Sequence, residues 1–266
     1  MAEAYALWKA MSIAGEELTV WQDIYVKFYQ AFIEADRWKQ YLAGMATTLY
    51  VTVIAILIGI VLGVIVASIR TAHDQQRRKK NIVLGFFNAI CKIYVTVIRG
   101  TPMMVQLMIL GFVVFKSSRN FTMVGALGLG LNSGAYVAEI IRGGLMSLDQ
   151  GQSEAGRSLG LGYMDTMRFI VVPQAFKAVL PALGNEFIIL LKDTSLLNII
   201  GGKELVHAAQ GIMNRTWEQM FPLLGISFMY LIMDMILGWL QDKRERRLTQ
   251  SERGRHNPRR GREEIV

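Results

Sequence analysis

Met45–Ile69, MATTLYVTVIAILIGIVLGVIVASI, runs for 25 residues without a charged side chain. A bilayer core about 30 Å thick takes about 20 helical residues to cross, so this stretch reads as a membrane span and sets the terms for the rest. Gly59 and Gly63 give it the GxxxG spacing that lets helices approach closely. Directly after it come Arg70, Arg77, Arg78, Lys79 and Lys80. Basic residues crowd the cytoplasmic ends of spans, so the span is expected to leave the N-terminus outside. The whole chain agrees with a membrane setting: 52% of its 266 residues are hydrophobic and the mean hydropathy is +0.31. Its net charge of +8 sits at the ends of apolar segments and makes no basic face interleaved with aromatics, which argues against a nucleic-acid partner.

Upstream, in the N-terminal segment 1–42 that is expected outside the membrane, residues 1–41 hold no uncharged run long enough for a signal-peptide core, so a cleaved leader is not expected. From Leu18 to Tyr41, Trp21, Ile24, Tyr25, Phe28 and Phe32 form an apolar stripe beside Asp23, Lys27, Glu34 and Asp36. This predicts an amphipathic helix, lying on the outer membrane surface or packed on the bundle.

Downstream, Ile82–Phe115 is too long for one simple span and is interrupted by Arg99-Gly100-Thr101-Pro102. Proline removes a helix hydrogen bond and disfavours helix in the residue before it. A second span over Ala89–Phe115, kinked there, is therefore expected, followed by an outer loop at Lys116–Asn120. Phe121–Ile141 reads as a third span, ending at Arg142 inside. Pro181–Ile200 reads as a fourth despite Glu186, Lys192 and Asp193. Gly202–Gln219 is expected to be an outer loop and Phe221–Leu240 the fifth span. The basic tail, residues 242–266, ends inside and is expected to be disordered.

Between spans three and four lies Glu154–Pro173, EAGRSLGLGYMDTMRFIVVP. Ala155, Arg157, Ser158 and Leu159 suit a helix, Gly160 and Gly162 allow a sharp turn, and Met164, Met167 and Val171 then recur at helical spacing. A helix, a break and a second, amphipathic helix are predicted on the cytoplasmic side. The chain's own chemistry is limited. No GxxxxGK followed by Ser or Thr is present, Gly201-Gly202-Lys203-Glu204 lacking both spacing and hydroxyl. His73, His207 and His256 are scattered, so a zinc site is not expected, and Cys91 is the lone cysteine.

The polar residues in or beside the spans are the remaining signal: Arg99, Gln106, Asn132, Ser133, Glu139, Glu186, Lys192, Asp193, Thr194, Ser195 and Asp234. Charge in hydrocarbon is costly, so these should face partners or water. They could fasten the bundle, Glu139 pairing with Arg142 one turn on, or serve a solute. Glu186 and Asp234 are read as structural.

The Glu154–Pro173 stretch resembles the EAA loop of ABC importer permeases: Glu154 and Ala155, three residues between Gly156 and Gly160, nine between Gly160 and Ile170, then Pro173. Gly156 stands where that family usually has a second alanine, which should loosen the first helical turn. RGTPMMVQ at 99–106, NSGAYVAEIIR at 132–142 and LKDTSL at 191–196 resemble motifs of permeases in the polar amino acid uptake family. The resemblance covers residues 43–241. It implies an all-α integral membrane protein with five transmembrane helices of the type I ABC importer permease kind, in the cytoplasmic membrane of a prokaryote. It also implies a second permease subunit, identical or paralogous, and two P-loop ATPase subunits that bind ATP and magnesium and accept the coupling loop, residues 148–180, through Glu154, Ala155, Gly156, Gly160, Gly162 and Pro173. An extracytoplasmic amino-acid-binding protein would deliver the substrate. No cofactor is expected in this chain, and no enzymatic activity.

A zwitterion needs a cation or amide for its carboxylate and an anion or hydroxyl for its ammonium. Arg99 and Gln106 could do the first, and Asp193, Thr194 and Ser195 the second. In the resembled family the LKDTS segment lines the midmembrane site, so Asp193 is the leading candidate, with Lys192 and Glu139 beside these residues in the candidate set. A secondary carrier or channel working without ATP is the alternative. The broken second span and the buried charges fit it, but it would have no need of an EAA loop.

Overall fold

The structure is a computed structural model and describes residues 2–76 and 81–255. Arg77–Lys80, on which part of the topology reading rests, lie outside them, as do His256, Pro258 and the arginines at 259, 260 and 262. Among the described residues every regular element is helical, and five helical stretches are long and apolar enough to cross a membrane: Glu34–Asp74, Ile82–Gly100, Phe121–Met146, Tyr163–Ile200 and Met220–Arg246.

The N-terminal segment differs from the single helix expected. Helices α1 (Ala2–Ile13) and α2 (Val20–Phe32) are followed by a short 3-10 turn, Glu34–Asp36, in which Ala35 and Asp36 are left-handed with φ 53° and 55°. That conformation is costly for residues with a Cβ and ends the helix. Helix α2 packs within its unit: Val26 and Ala31 are buried, Tyr29 stacks on Tyr5 at 4.2 Å, and Phe28 meets Phe221 edge-on at 6.1 Å. Trp21, at the start of the helix, stays 80% exposed.

Helix α3 (Arg37–Asp74) carries the first span and overshoots Met45–Ile69 at both ends, because nothing in the flanks breaks a helix. Helix α4 (Ile82–Gly100) starts earlier than Ala89, since Asn81 caps it, accepting from the Val83 and Leu84 N–H groups at 2.9 and 3.4 Å. It stops where Thr101 turns extended ahead of Pro102. The rest of the expected second span is a separate short helix, α5 (Met103–Met108), ending in a π-helical turn, Ile109–Val114. Helix α6 (Phe121–Met146) is the third span. Helices α7 (Gln150–Ser158) and α8 (Tyr163–Thr166) precede a second π-turn, Met167–Val171, and α9 (Val172–Asp193), which begins ahead of Pro181 and contains it. A 3-10 helix, Thr194–Ile200, closes that span.

Two further expectations are corrected. The outer loop read over Gly202–Gln219 contains α10 (Leu205–Thr216), which buries Leu205, Ala209 and Ile212 at helical spacing. The fifth span, α11 (Met220–Arg255), does not end near Leu240. Strong helix formers in DKRERR extend it, and Gln241 reaches Glu245 at 3.2 Å, so 242–255 is helical where disorder was expected.

The chain packs as two units. One comprises Met1–Val53, Met104–Ala126 and Leu191–Met233, and the other Ile54–Met103, Leu127–Leu190 and Asp234–Val266. In the second unit the expected GxxxG contact is made. A Cβ on Gly59 would fall 2.7 Å from Ser133 Oγ and one on Gly63 2.5 Å from Val137 Cγ1, so α3 and α6 approach as only glycine permits. Val66, Cys91, Val95, Ala135 and Ala138 make a buried apolar cluster beside that contact.

Candidate functional site: coupling helices and intramembrane polar groups

The Glu154–Pro173 stretch folds as a helix, a turn and a second helix. Asp149 caps α7, accepting from the Gly151 N–H at 2.9 Å. The helix ends at Leu159, and Gly160, with φ +79°, turns the chain into a region that costs other residues about 1 kcal/mol or more. The Leu161 N–H closes the turn on the Gly156 carbonyl at 3.1 Å.

Gly156 does not loosen its helix as expected. It is buried, and an added Cβ would stand 2.9 Å from Thr166 Cγ2 and 3.0 Å from Ile170 Cδ1, so the missing side chain is what seats α7 on the following helix. Gln174 donates to Gln152 at 3.2 Å across the same pair. Pro173 follows the π-turn. Its ring and missing N–H disrupt the preceding turn, and a widened turn accommodates that disruption.

The opposite face is open: Leu159 is 81% exposed and Met164 75%, with Phe169, Tyr163, Glu154 and Ala155 also exposed. Contiguous exposed apolar side chains rimmed by polar ones mark an interaction surface. Behind it lies a cleft of about 520 Å³ lined by Asp74, Asp149, Glu154, Arg157, Tyr163 and Met167, among others.

In the same unit, Glu139 gathers three arginines. Arg70 pairs with it directly, Arg99 lies 3.8 Å from Oε2 and Arg142 3.9 Å from Oε1, while Arg142 also reaches Asp74 at 2.9 Å. The expected Glu139–Arg142 contact is thus the weakest of the set, and Arg70 went unrecognised because the loop count treated it as a topology signal. Arg99 further sits 5.2 Å from the Tyr136 ring centroid, a cation–π distance. Glu186 is buried and accepts from Ser133 Oγ at 2.8 Å, the structural role expected of it.

The remaining candidates fall in the other unit. Gln106 on α5 is half-buried, Lys192 is exposed, and Asp193 and Ser195 are half-buried. Thr194 is completely buried. Its hydroxyl donates to the Leu191 carbonyl at 2.7 Å and lies within hydrogen-bonding reach of Tyr230. Sequence reasoning missed the acid nearby: Glu204, weighed only as part of a failed P-loop, is 1% exposed. Its carboxylate caps α10, accepting from the Val206 and His207 N–H groups at 2.7 and 2.8 Å, and the Tyr230 hydroxyl donates to it at 3.2 Å. Burial pushes its carboxyl up to about 7, against the pull of those three donors. The available signal was a polar residue just ahead of the helical pattern LVHAAQGI, in the place of a cap.

The description "binding-protein-dependent transport system inner membrane component" fits residues 83–250. The glutamine transport system permease protein GlnP of Escherichia coli K12 is 34% identical over 209 residues, 77% of this chain and 91% of that protein, and the same protein of Shigella flexneri matches equally. A crystal structure of an amino acid ABC transporter with histidines superposes with a TM-score of 0.71 at 35% identity, over 79% of this chain and 94% of that one. The inward-facing MetNI methionine ABC transporter shares the fold, with a TM-score of 0.67 at 18% identity over 82% of this chain and 99% of that one. Five spans, a broken second hydrophobic region and these likenesses converge: the chain belongs to the binding-protein-dependent inner membrane transport components, as a multi-pass permease subunit of the ABC importer kind.

Proposed function

We propose that this chain forms the translocation pathway of an ATP-driven importer of a polar amino acid, with L-glutamine the first to test because the relatives' names carry it. The N-terminus lies outside and the end of α11 in the cytoplasm of a prokaryotic cell. ATP and magnesium are bound by separate P-loop ATPase subunits, an extracytoplasmic binding protein delivers the substrate, and a second permease subunit completes the pathway.

The observation that carries this reading is the exposed apolar surface of Leu159, Tyr163, Met164 and Phe169 next to α7, backed by the close packing at Gly156. A firm element with an open apolar surface can dock on a partner and pass its movement into α9. Closure of the ATPase dimer pushes on this element, and the spans on either side of it open the pathway outward. Within one unit, Gln106 receives the carboxylate, and Asp193 and Ser195, half-buried at the end of α9, receive the ammonium, with Lys192 beside them, while the buried Thr194 holds the turn between them.

The test is ATP hydrolysis and uptake in proteoliposomes containing the permease, its copurifying ATPase and the binding protein, with each polar amino acid in turn. Stimulation of hydrolysis by one of them supports the reading. Solute flux without ATP would replace it with a secondary carrier. Gly160→Pro cannot adopt the left-handed turn, and Glu154→Lys inverts a charge on the docking face. Both should leave hydrolysis running while uptake falls at least tenfold, and normal uptake by both would remove the coupling role.

A further inference from the structure

The chain between Thr194 and Glu204 forms one closed piece, and a single side chain from another helix meets both its ends. Its first part is the 3-10 helix, capped by Gly201 at φ 82°, with the Gly202 N–H returning to the Leu197 carbonyl at 2.9 Å. Its last residue, Glu204, caps α10 from a fully buried position. Tyr230 of α11 donates to Glu204 Oε2 at 3.2 Å, and the same hydroxyl reaches Thr194 and Thr48. Thr48 in turn accepts from the Leu205 N–H at 3.3 Å. A phenol has one proton to donate and lone pairs to accept with. Donating to Glu204, it can accept from Thr48, while Thr194, whose single proton goes to the Leu191 carbonyl, lies against the phenol oxygen, and the carboxylate ends the chain.

We propose that Glu204 and Tyr230 are positioning residues for the substrate site: the buried carboxylate aims the Tyr230 hydroxyl, the hydroxyl fixes Thr194, and Asp193 and Ser195 on either side are thereby held at the pathway. This rests on the reading of Asp193 and Ser195 as substrate-facing. Neither positioning residue needs to touch substrate. A fixed hydroxyl between two segments is worth more to a site than to stability, because about 1 Å of misplacement weakens several contacts at once.

The test uses the complete complex of permease, ATPase and binding protein, with Cys91→Ser removing the native thiol and Ser195→Cys introducing a reporter. The labelling rate of that thiol by a small methanethiosulfonate reagent reads the orientation of the turn, and Gln106→Cys in the same background is the control. Tyr230→Phe, which deletes only the hydroxyl, should change labelling at position 195 about tenfold and leave position 106 unchanged. Glu204→Gln should act in the same direction with a smaller change, and it serves alone if Tyr230→Phe does not assemble. Unchanged labelling at 195, or equal changes at both positions as general loosening would give, overturns the proposal. So does a reporter at 195 that never reacts. Protection of the reporter by L-glutamine, L-histidine or L-arginine examines the substrate reading separately: if Tyr230→Phe moves the labelling but none of the three protects, the clamp stands and the substrate assignment falls.

Discussion

Glu139 and Glu204 are the same side chain solved in two ways. Glu139, 27% exposed, is balanced by full charges: Arg70, Arg99 and Arg142 surround it. Glu204, 1% exposed, is balanced by dipoles, two backbone N–H groups and a phenol, with no ion pair to it among the described residues. Ion pairs tolerate a change of partner, since one arginine can replace another around a carboxylate. Hydrogen bonds from a helix terminus do not, because their geometry is fixed by the backbone. The first arrangement can exchange its contacts, and the second keeps its shape.

Breaking the charged arrangement should have the larger effect. Glu139→Ala leaves Arg70, itself only 15% exposed, beside two other cations, and should cost about 3 kcal/mol. Thermal unfolding of the purified complex measures this, and Arg70→Met combined with Glu139→Gln should recover at least half of it. Glu204→Ala removes a cap and exposes two buried donors, for about 2 kcal/mol. Hydrogen exchange should show the loss first at Val206 and His207, and an effect spread evenly over the spans would contradict the local account.

The comparison sharpens with pH. The Glu204 carboxyl is raised in the folded protein to about 7 from an ordinary 4.5, so between those values the folded state holds a proton that the unfolded state has released. Its contribution to stability is therefore complete below about 4.5, declines as pH rises toward 7, and is lost above it, with a slope of at most about 1.4 kcal/mol per pH unit. Tyr230 is the titratable side chain that donates to it, beside the Val206 and His207 N–H groups. Unfolding midpoints between about pH 5 and pH 8 should fall more steeply for the native chain than for Glu204→Gln, and parallel curves would refute the assignment. The smallest effect is expected at the coupling helices. Gly156→Ala should cost about 1 kcal/mol through its contact with Thr166, and adding Thr166→Ala, which returns the space, should relieve it.

The spans were legible in the sequence because hydrocarbon imposes a length and a charge rule that any stretch such as Met45–Ile69 must obey. The break before Pro102 and the turn at Gly160 were legible for a similar reason, since proline and glycine act locally. What escaped depended on partners distant in the chain. Arg70 reads as a loop charge until α6 brings Glu139 to it, and Glu204 is an ordinary surface residue until Tyr230, Thr48 and α10 close over it. The α10 helix was missed because it is short and lies between spans, where hydropathy carries little information. Gly156 was misread because a glycine's value depends on what lies opposite its absent side chain, here Thr166 and Ile170. Among the candidate residues, the nearness of Arg99 to Glu139 was not legible, since the two lie in separate motifs, and neither was the complete burial of Thr194.

The widened turn at Met167–Val171 has a mechanical corollary. Each α-helical residue advances the chain by about 100° of rotation, so a turn that holds one residue more than its neighbours sets the phase between the coupling surface and α9. Deleting one residue there would restore a regular helix at little cost in hydrogen bonds, yet it would swing Leu159 and Met164 roughly a quarter-turn away from their present bearing. The bearing of the exposed Leu159 and Met164 relative to α9 is thus set by a single surplus residue, a setting that evolution or an engineer could change without altering either that face or the span.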